Sequence, residues 1–153
     1  MIPKKPYDLL FLSSISPFIL IFVYSNQDTY TWNIESMYYV ISKSDFYKGI
    51  FIITFIPALL YLFLDKAQVV LNLKMTQVHV FGTLAMIIAS VYFNNKNNSV
   101  LKLHNIEEIN NQINYNLYAV VSVMLLICIQ ILFLMNIFTA QIQKLRISNK
   151  IKN

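Results

Sequence analysis

Charge is scarce in this chain: Asp, Glu, Lys and Arg make up 12% of its 153 residues, where an ordinary soluble domain carries about 25%. So few charges cannot cover a folded surface with water-compatible groups, which argues against a soluble globular enzyme. Glycine is rarer still. The two glycines, Gly49 and Gly82, are too few and too far apart for a Gly-rich phosphate loop. The single cysteine, Cys128, excludes a disulfide framework and a cysteine-based metal site. No clustered basic face precedes the last ten residues, so nucleic-acid binding is not expected. Hydrophobic residues, by contrast, reach 57%, which excludes intrinsic disorder because there is ample apolar surface to bury.

That apolar content is gathered into four runs, at 9–24, 46–64, 76–93 and 117–139. A membrane-spanning helix needs about 20 residues, with a range of about 17–25. The second to fourth runs fit, and the first is short and interrupted by Ser13, Ser14, Ser16 and Pro17. An alternative for the first run is a cleaved leader, with Lys4 and Lys5 ahead of it and Val23-Tyr24-Ser25 after it. We expect a retained helix. The expected fold is therefore all-α: one integral membrane domain, 1–153, built as a four-helix bundle.

The loops carry their own signals. Of the twelve basic residues, Lys4, Lys5, Lys66, Lys74, Lys144, Arg146, Lys150 and Lys152 fall on one side of a four-span arrangement. By the positive-inside rule both termini, including the basic tail 141–153, are expected in the cytoplasm or matrix, with a bacterial or mitochondrial inner membrane as the location. The outer loop 25–45 holds Trp32 and several tyrosines suited to the membrane interface. The segment 94–99, Asn-Asn-Lys-Asn-Asn-Ser, reads as a polar turn. Beyond it Ile106, Ile109, Ile113 and Leu117 recur at helical spacing, and Asn105 with Glu108 forms a capping-box pattern. A short amphipathic surface helix before the fourth span is expected there.

Chemistry-bearing residues are few. No Asp, Glu, Lys or Arg lies mid-span, which argues against a proton relay or an ion-coupled transporter. His79, about one turn into the third span, and His104, in the outer loop, stand on opposite membrane faces and cannot share a metal. Either could bind haem only with a partner's ligand, and the plainer reading of His79 is a hydrogen-bonded side chain near the headgroups. Gln130 and Asn136 in the fourth span, and Gly82 in the third, are expected to pack helices. Pro57 is expected to kink the second span. No catalytic, metal or cofactor site is expected, and no small-molecule substrate is evident.

Two segments carry a resemblance. Residues 33–46, with Tyr38-Tyr39-Val40 at the centre, resemble the outer end of a late helix in haem–copper oxidase subunit I, which reads roughly His-Asp-Thr-Tyr-Tyr-Val-Val-Ala-His-Phe-His-Tyr. One hairpin later, Leu73 to Phe81, with His79, is similar to the Lys-Ile-His-Phe start of that family's next helix. The resemblance covers about residues 28–140 and implies the C-terminal third of that subunit. It also implies a scaffold without cofactors, because Lys43 and Asp45 stand where the family has its haem-ligating histidines, and Glu35 and Ser36 where it has His-Asp. Glu35, Lys43 and Asp45 then become possible docking residues. The expected function is a non-catalytic structural or accessory subunit of a larger membrane complex, with a respiratory complex as the first candidate. The alternative is a small membrane immunity or regulatory protein that binds a toxin or sensor partner. Membrane lipids and other membrane subunits are the expected partners in the first case.

Overall fold

The computed structural model describes residues 5–25, 27–34, 37–100 and 106–152, and within these the side chains of all but 99–100, 106–113 and 145–152. Among the described residues the order is helix α1 (Asp8–Val23), strands β1 (Thr29–Ile34) and β2 (Met37–Ser42), then helices α2 (Lys43–Lys66), α3 (Leu73–Val100) and α4 (Ile106–Lys152). Three helices among the described residues are long and apolar enough to cross a membrane: Lys43–Lys66, Leu73–Asn98 and Asn114–Lys144. The first helix, at 16 residues, falls below that length.

The helices pair as two hairpins, α1 on α2 and α3 on α4. Aromatic rings join α1 to α2: Phe11 meets Phe55 at 5.8 Å and Phe18 meets Phe51 at 5.4 Å between centroids. At the end of the molecule that carries the β-hairpin, termed the outer end as a label only (the opposite end being the inner one), Tyr24 stacks on Tyr47 at 5.4 Å. Ring pairs in such offset or tilted arrangements contribute about 0.5–1.5 kcal/mol beyond the area they bury. On α3 the small residue Gly82 admits α4 closely; a Cβ built there would lie 3.1 Å from Ile129 Cδ1. Two clusters of buried apolar residues form the core. The inner one contains Tyr7, Leu10, Ala58, Tyr61, Val80 and Phe133, and the outer one Tyr30, Phe46, Tyr47 and Ile50.

The expectation of an all-α chain is corrected by β1 and β2, which pair antiparallel from Thr29 opposite Ser42 to Ile34 opposite Met37. The composition explains it: Thr-Tyr-Thr-Trp and Met-Tyr-Tyr-Val-Ile are β-branched and aromatic runs that fit a pleated, half-buried surface. Ser42 closes the strand and caps α2, its hydroxyl accepting from Asp45 N at 3.0 Å. Such caps contribute about 1 kcal/mol, and Asp45 in the first turn complements the helix dipole.

Two further expectations change. The segment 94–99 is not a turn but the last turns of α3, which runs to Val100. The separate surface helix is instead continuous with the fourth span, since α4 extends unbroken over 47 residues; no Pro or Gly interrupts that stretch. Asn105 of the capping-box pattern lies outside the described residues, and so does the side chain of Glu108. Pro57 is buried within α2, which remains helical through it.

The close approach at Gly82 sets a test. Replacing it with Val is expected to lower stability in detergent by about 1–3 kcal/mol through overpacking. The same change at Gly49, where a Cβ meets nothing within 4 Å, should stay within about 0.5 kcal/mol. Thermal unfolding of both variants by circular dichroism checks the contrast.

Candidate functional site: a polar ladder along the third helix

The side chains with chemistry in them converge on one face of α3. Thr76, His79 and Thr83 recur at i, i+3 and i+7, so a single stripe carries them. All three are buried, with His79 and Thr83 fully enclosed. His79 Nδ1 lies 3.1 Å from Tyr61 Oη on α2, and its Nε2 lies 3.1 Å from Gln130 Oε1 on α4. The Gln130 amide donates to Thr83 Oγ1 at 3.2 Å. An amide oxygen can only accept, so in the neutral imidazole Nε2 carries the proton to Gln130 Oε1 and Nδ1 accepts from the Tyr61 hydroxyl. The result is a directed chain, Tyr61 to His79 to Gln130 to Thr83. The His79 ring also stacks on Phe133 at 5.0 Å.

One to two turns toward the inner end, Asn136 holds the α2–α3 link. Its Oδ1 accepts from Asn72 N at 3.1 Å, and its Nδ2 donates to Thr76 Oγ1 at 2.9 Å. Asn72 itself caps α3, its Oδ1 accepting from Lys74 N at 3.0 Å and Met75 N at 3.3 Å. Thus α4 grips the start of α3 through that helix's own cap. Lys144 adds a bond to Ala67 O at 3.1 Å, just past the end of α2, where a cation complements the helix dipole. Lys5 pairs with Asp65 across the start of α1 and the end of α2. That bond, more than any other contact, raises the Lys5 pKa above the ordinary lysine value.

At the outer end α3 presents four asparagines to the β-hairpin. Asn94 Oδ1 accepts from Trp32 Nε1 at 2.5 Å, and Asn95 Oδ1 accepts from Tyr30 Oη at 3.0 Å. The amides of Asn97 and Asn98 donate to the carbonyls of Thr31 and Thr29, each at 2.7 Å. From α4, Asn116 accepts from Asn33 N at 2.8 Å and donates to Asn33 O. Asn side chains are therefore standing in for a third strand along β1. Tyr30 is fully enclosed by this arrangement, and burial pushes its phenol pKa well above the ordinary value. Among the described residues, Asn97 Oδ1 is the buried side-chain atom that finds no partner.

Between the two helical hairpins lies a cleft of about 630 Å³, lined on α1, α2 and α3 by residues that include Pro17, Leu20, Ile50, Ile87 and Val91. Its polar members, Ser13, Ser16, Tyr47, Tyr92 and Asn95, stand on its wall rather than converge on one point of chemistry.

The residues singled out in the sequence distribute as follows. His79, Gln130 and Asn136 all join the ladder on α3, although Gln130 and Asn136 stand six positions apart on α4. Gly82 lies at the α3–α4 contact. Lys43 places its ammonium over the rings of Tyr24, at 4.9 Å, and Tyr30, at 5.4 Å. Asp45 bonds Ser42 and Lys48 at the mouth of α2. Glu35 and His104 lie outside the described residues. Sequence reasoning missed Tyr61, Asn72, Thr76, Thr83 and the asparagines. The threonines had a legible signal in their helical spacing with His79; the asparagines had none, because a run of them reads first as a turn.

Family models, curated proteins and solved structures yield no match to this chain.

The asparagine clasp is directly testable, because Trp32 is the sole tryptophan. Replacing Asn97 and Asn98 with Ala leaves the Thr31 and Thr29 carbonyls without those donors, and each lost buried bond costs about 1–3 kcal/mol. The expected outcome is a red shift and greater quenching of Trp32 emission with helix content retained. An unchanged spectrum would show that the hairpin holds its place without them.

Proposed function

We propose that the chain is a non-catalytic integral membrane protein acting as a structural or accessory subunit of a larger membrane complex, with a respiratory oxidase as the first candidate. The observation that carries the reading is the character of α4. It contains the most apolar of the three candidate spans and the least buried one, with 22% of its most apolar stretch inside the molecule. Leu117, Met124, Ile131, Leu134 and Phe138 point outward along it. A face of that length and composition suits lipid or the helices of another subunit. The polar side chains, meanwhile, are directed at one another across α2, α3 and α4, an arrangement that fixes helices and leaves His79 with both ring nitrogens engaged.

The oxidase candidate rests on the resemblance of the Tyr38-Tyr39-Val40 and His79 segments to subunit I. Lys43 and Asp45, at positions where that family ligates haem, serve here at the mouth of α2. The excess of Lys and Arg at the inner ends supports cytoplasmic termini in a bacterial inner membrane.

Affinity-tagged full-length chain, recovered from its own membrane in mild detergent, tests this reading. Co-elution with other membrane subunits is the expected result, together with no Soret absorbance in the separated chain. Recovery of the chain alone would overturn the accessory role, and a Soret band would overturn the assignment as a haem-free scaffold.

A further inference from the structure

The two edges of the β-hairpin are treated differently. In the antiparallel ladder Tyr30 faces Ile41, Trp32 faces Tyr39 and Ile34 faces Met37, and Lys43 N extends the pattern to Asp28 O at 2.7 Å. Residues of this parity turn their amides toward the partner strand. Those of the other parity turn them away, because backbone groups alternate along a strand. On β1 the outward set is Thr29, Thr31 and Asn33, and the amide side chains of Asn98, Asn97 and Asn116 bond all three. On β2 the outward set is Tyr38, Val40 and Ser42. Among the described residues no third strand pairs with β2.

That open edge lacks the devices that normally protect one. Edge strands are kept from pairing by Lys, Pro or a bulge, and 37–42 contains no charge and no proline. The adjacent cation, Lys43, is drawn back over the rings of Tyr24 and Tyr30. Met37, Tyr38, Tyr39 and Val40 are 49–70% exposed. One edge is sealed by a row of asparagines and the other is apolar, neutral and open.

We propose that the β2 edge is covered by the β2 edge of a second copy of this chain, making a continuous four-stranded antiparallel sheet on the outer surface of the membrane. Three features favour that occupant. First, the edge is self-complementary. With a two-fold axis beside Tyr39, Tyr38 faces Val40 of the second copy and Val40 faces Tyr38. Both are outward-facing positions, so each pair exchanges two N–H···O bonds. Second, an uncharged strand can meet itself without setting like charges opposite one another, the obstacle such isologous contacts otherwise face. Third, two copies inserted the same way in one membrane hold this edge at the same height. The contact does not depend on the identity of any larger complex, so its failure and the failure of the accessory role are separable.

Site-specific crosslinking of the full-length protein in liposomes tests it, in a Cys128→Ser background. The two Tyr39 residues form a non-hydrogen-bonded pair, with Cα atoms about 4.5 Å apart, inside the range that a disulfide spans. Tyr39→Cys is therefore expected to give a covalent dimer on mild oxidation. Tyr38→Cys and Val40→Cys should each crosslink several-fold less alone, and to each other when the two variants are mixed. A second variant separates pairing from folding. Val40→Pro deletes an outward N–H without touching the bonds to β1, so it should abolish the Tyr39→Cys dimer while Trp32 emission stays unchanged. Uniform crosslinking at 38, 39 and 40, no crosslinking at any of them, or a Tyr39→Cys adduct with a different protein would each overturn the proposal. A dimer that survives Val40→Pro would do the same.

Discussion

Inside a bilayer, apolar packing does not by itself choose which helix lies beside which, because lipid tails are as apolar as leucine. Hydrogen bonds between side chains do choose, since each has a specific donor and a specific acceptor. In this protein that choice is made on α3. Tyr61 reaches it from α2, Gln130 and Asn136 reach it from α4, and the hairpin's Tyr30 and Trp32 reach its outer end. Outside α3, α4 meets the other elements through contacts such as Asn116 on Asn33, Lys144 on Ala67 and Phe133 on Tyr61, while α1 and α2 hold each other through aromatic rings and the Lys5–Asp65 pair. The helix is thus a polar spine inside a largely apolar molecule. Its stripe of threonines and histidine faces partners, and the residues it turns outward, such as Val78, Phe81 and Ile88, are apolar.

The outer end shows how far this principle extends. A run of asparagines is a poor helix former, and its side chains compete with the backbone for hydrogen bonds. Here the helix continues through them while the hairpin takes up their side chains, and Asn94 also donates back to its own helix, at Ser90 O. The hairpin gains in return, since a lone two-stranded ribbon is marginal in water, and β1 is bonded along its outer edge as though by another strand. Each element makes the other's local sequence tolerable. The same exchange occurs at the inner end, where Asn72 caps α3 and Asn136 holds the cap.

Much of the architecture was readable from residue order. The three helices long and apolar enough to cross a membrane follow from runs of uncharged residues of about that length. Gly82 was marked out by standing with Ala85 and Ala89 at helical spacing in one apolar run, and His79, Gln130 and Asn136 by being polar where polarity is costly. What escaped was whatever depends on a partner distant in sequence. Asn94 to Asn98 looked like a turn because local propensity is all that a run of asparagines displays, and its partners lie more than 60 residues earlier. Tyr30 and Trp32 looked like interface anchors because aromatic residues serve at the headgroups and in sheets alike. Tyr61 looked apolar because a tyrosine declares its hydroxyl only when an acceptor such as His79 is found. The surface helix was detected by its periodicity, but periodicity does not show that a helix continues into the next one.

The central claim is that polar pairing along α3 holds the bundle together. A double-mutant cycle on His79→Phe and Gln130→Leu, with unfolding measured in lipid bicelles, addresses it most directly. Side-chain hydrogen bonds between membrane helices average about 0.6 kcal/mol and reach about 1.7 kcal/mol. A coupling energy in that range is expected, the loss in the double variant falling short of the sum of the two single losses by that amount. Strictly additive losses, or single variants as stable as the parent, would contradict it.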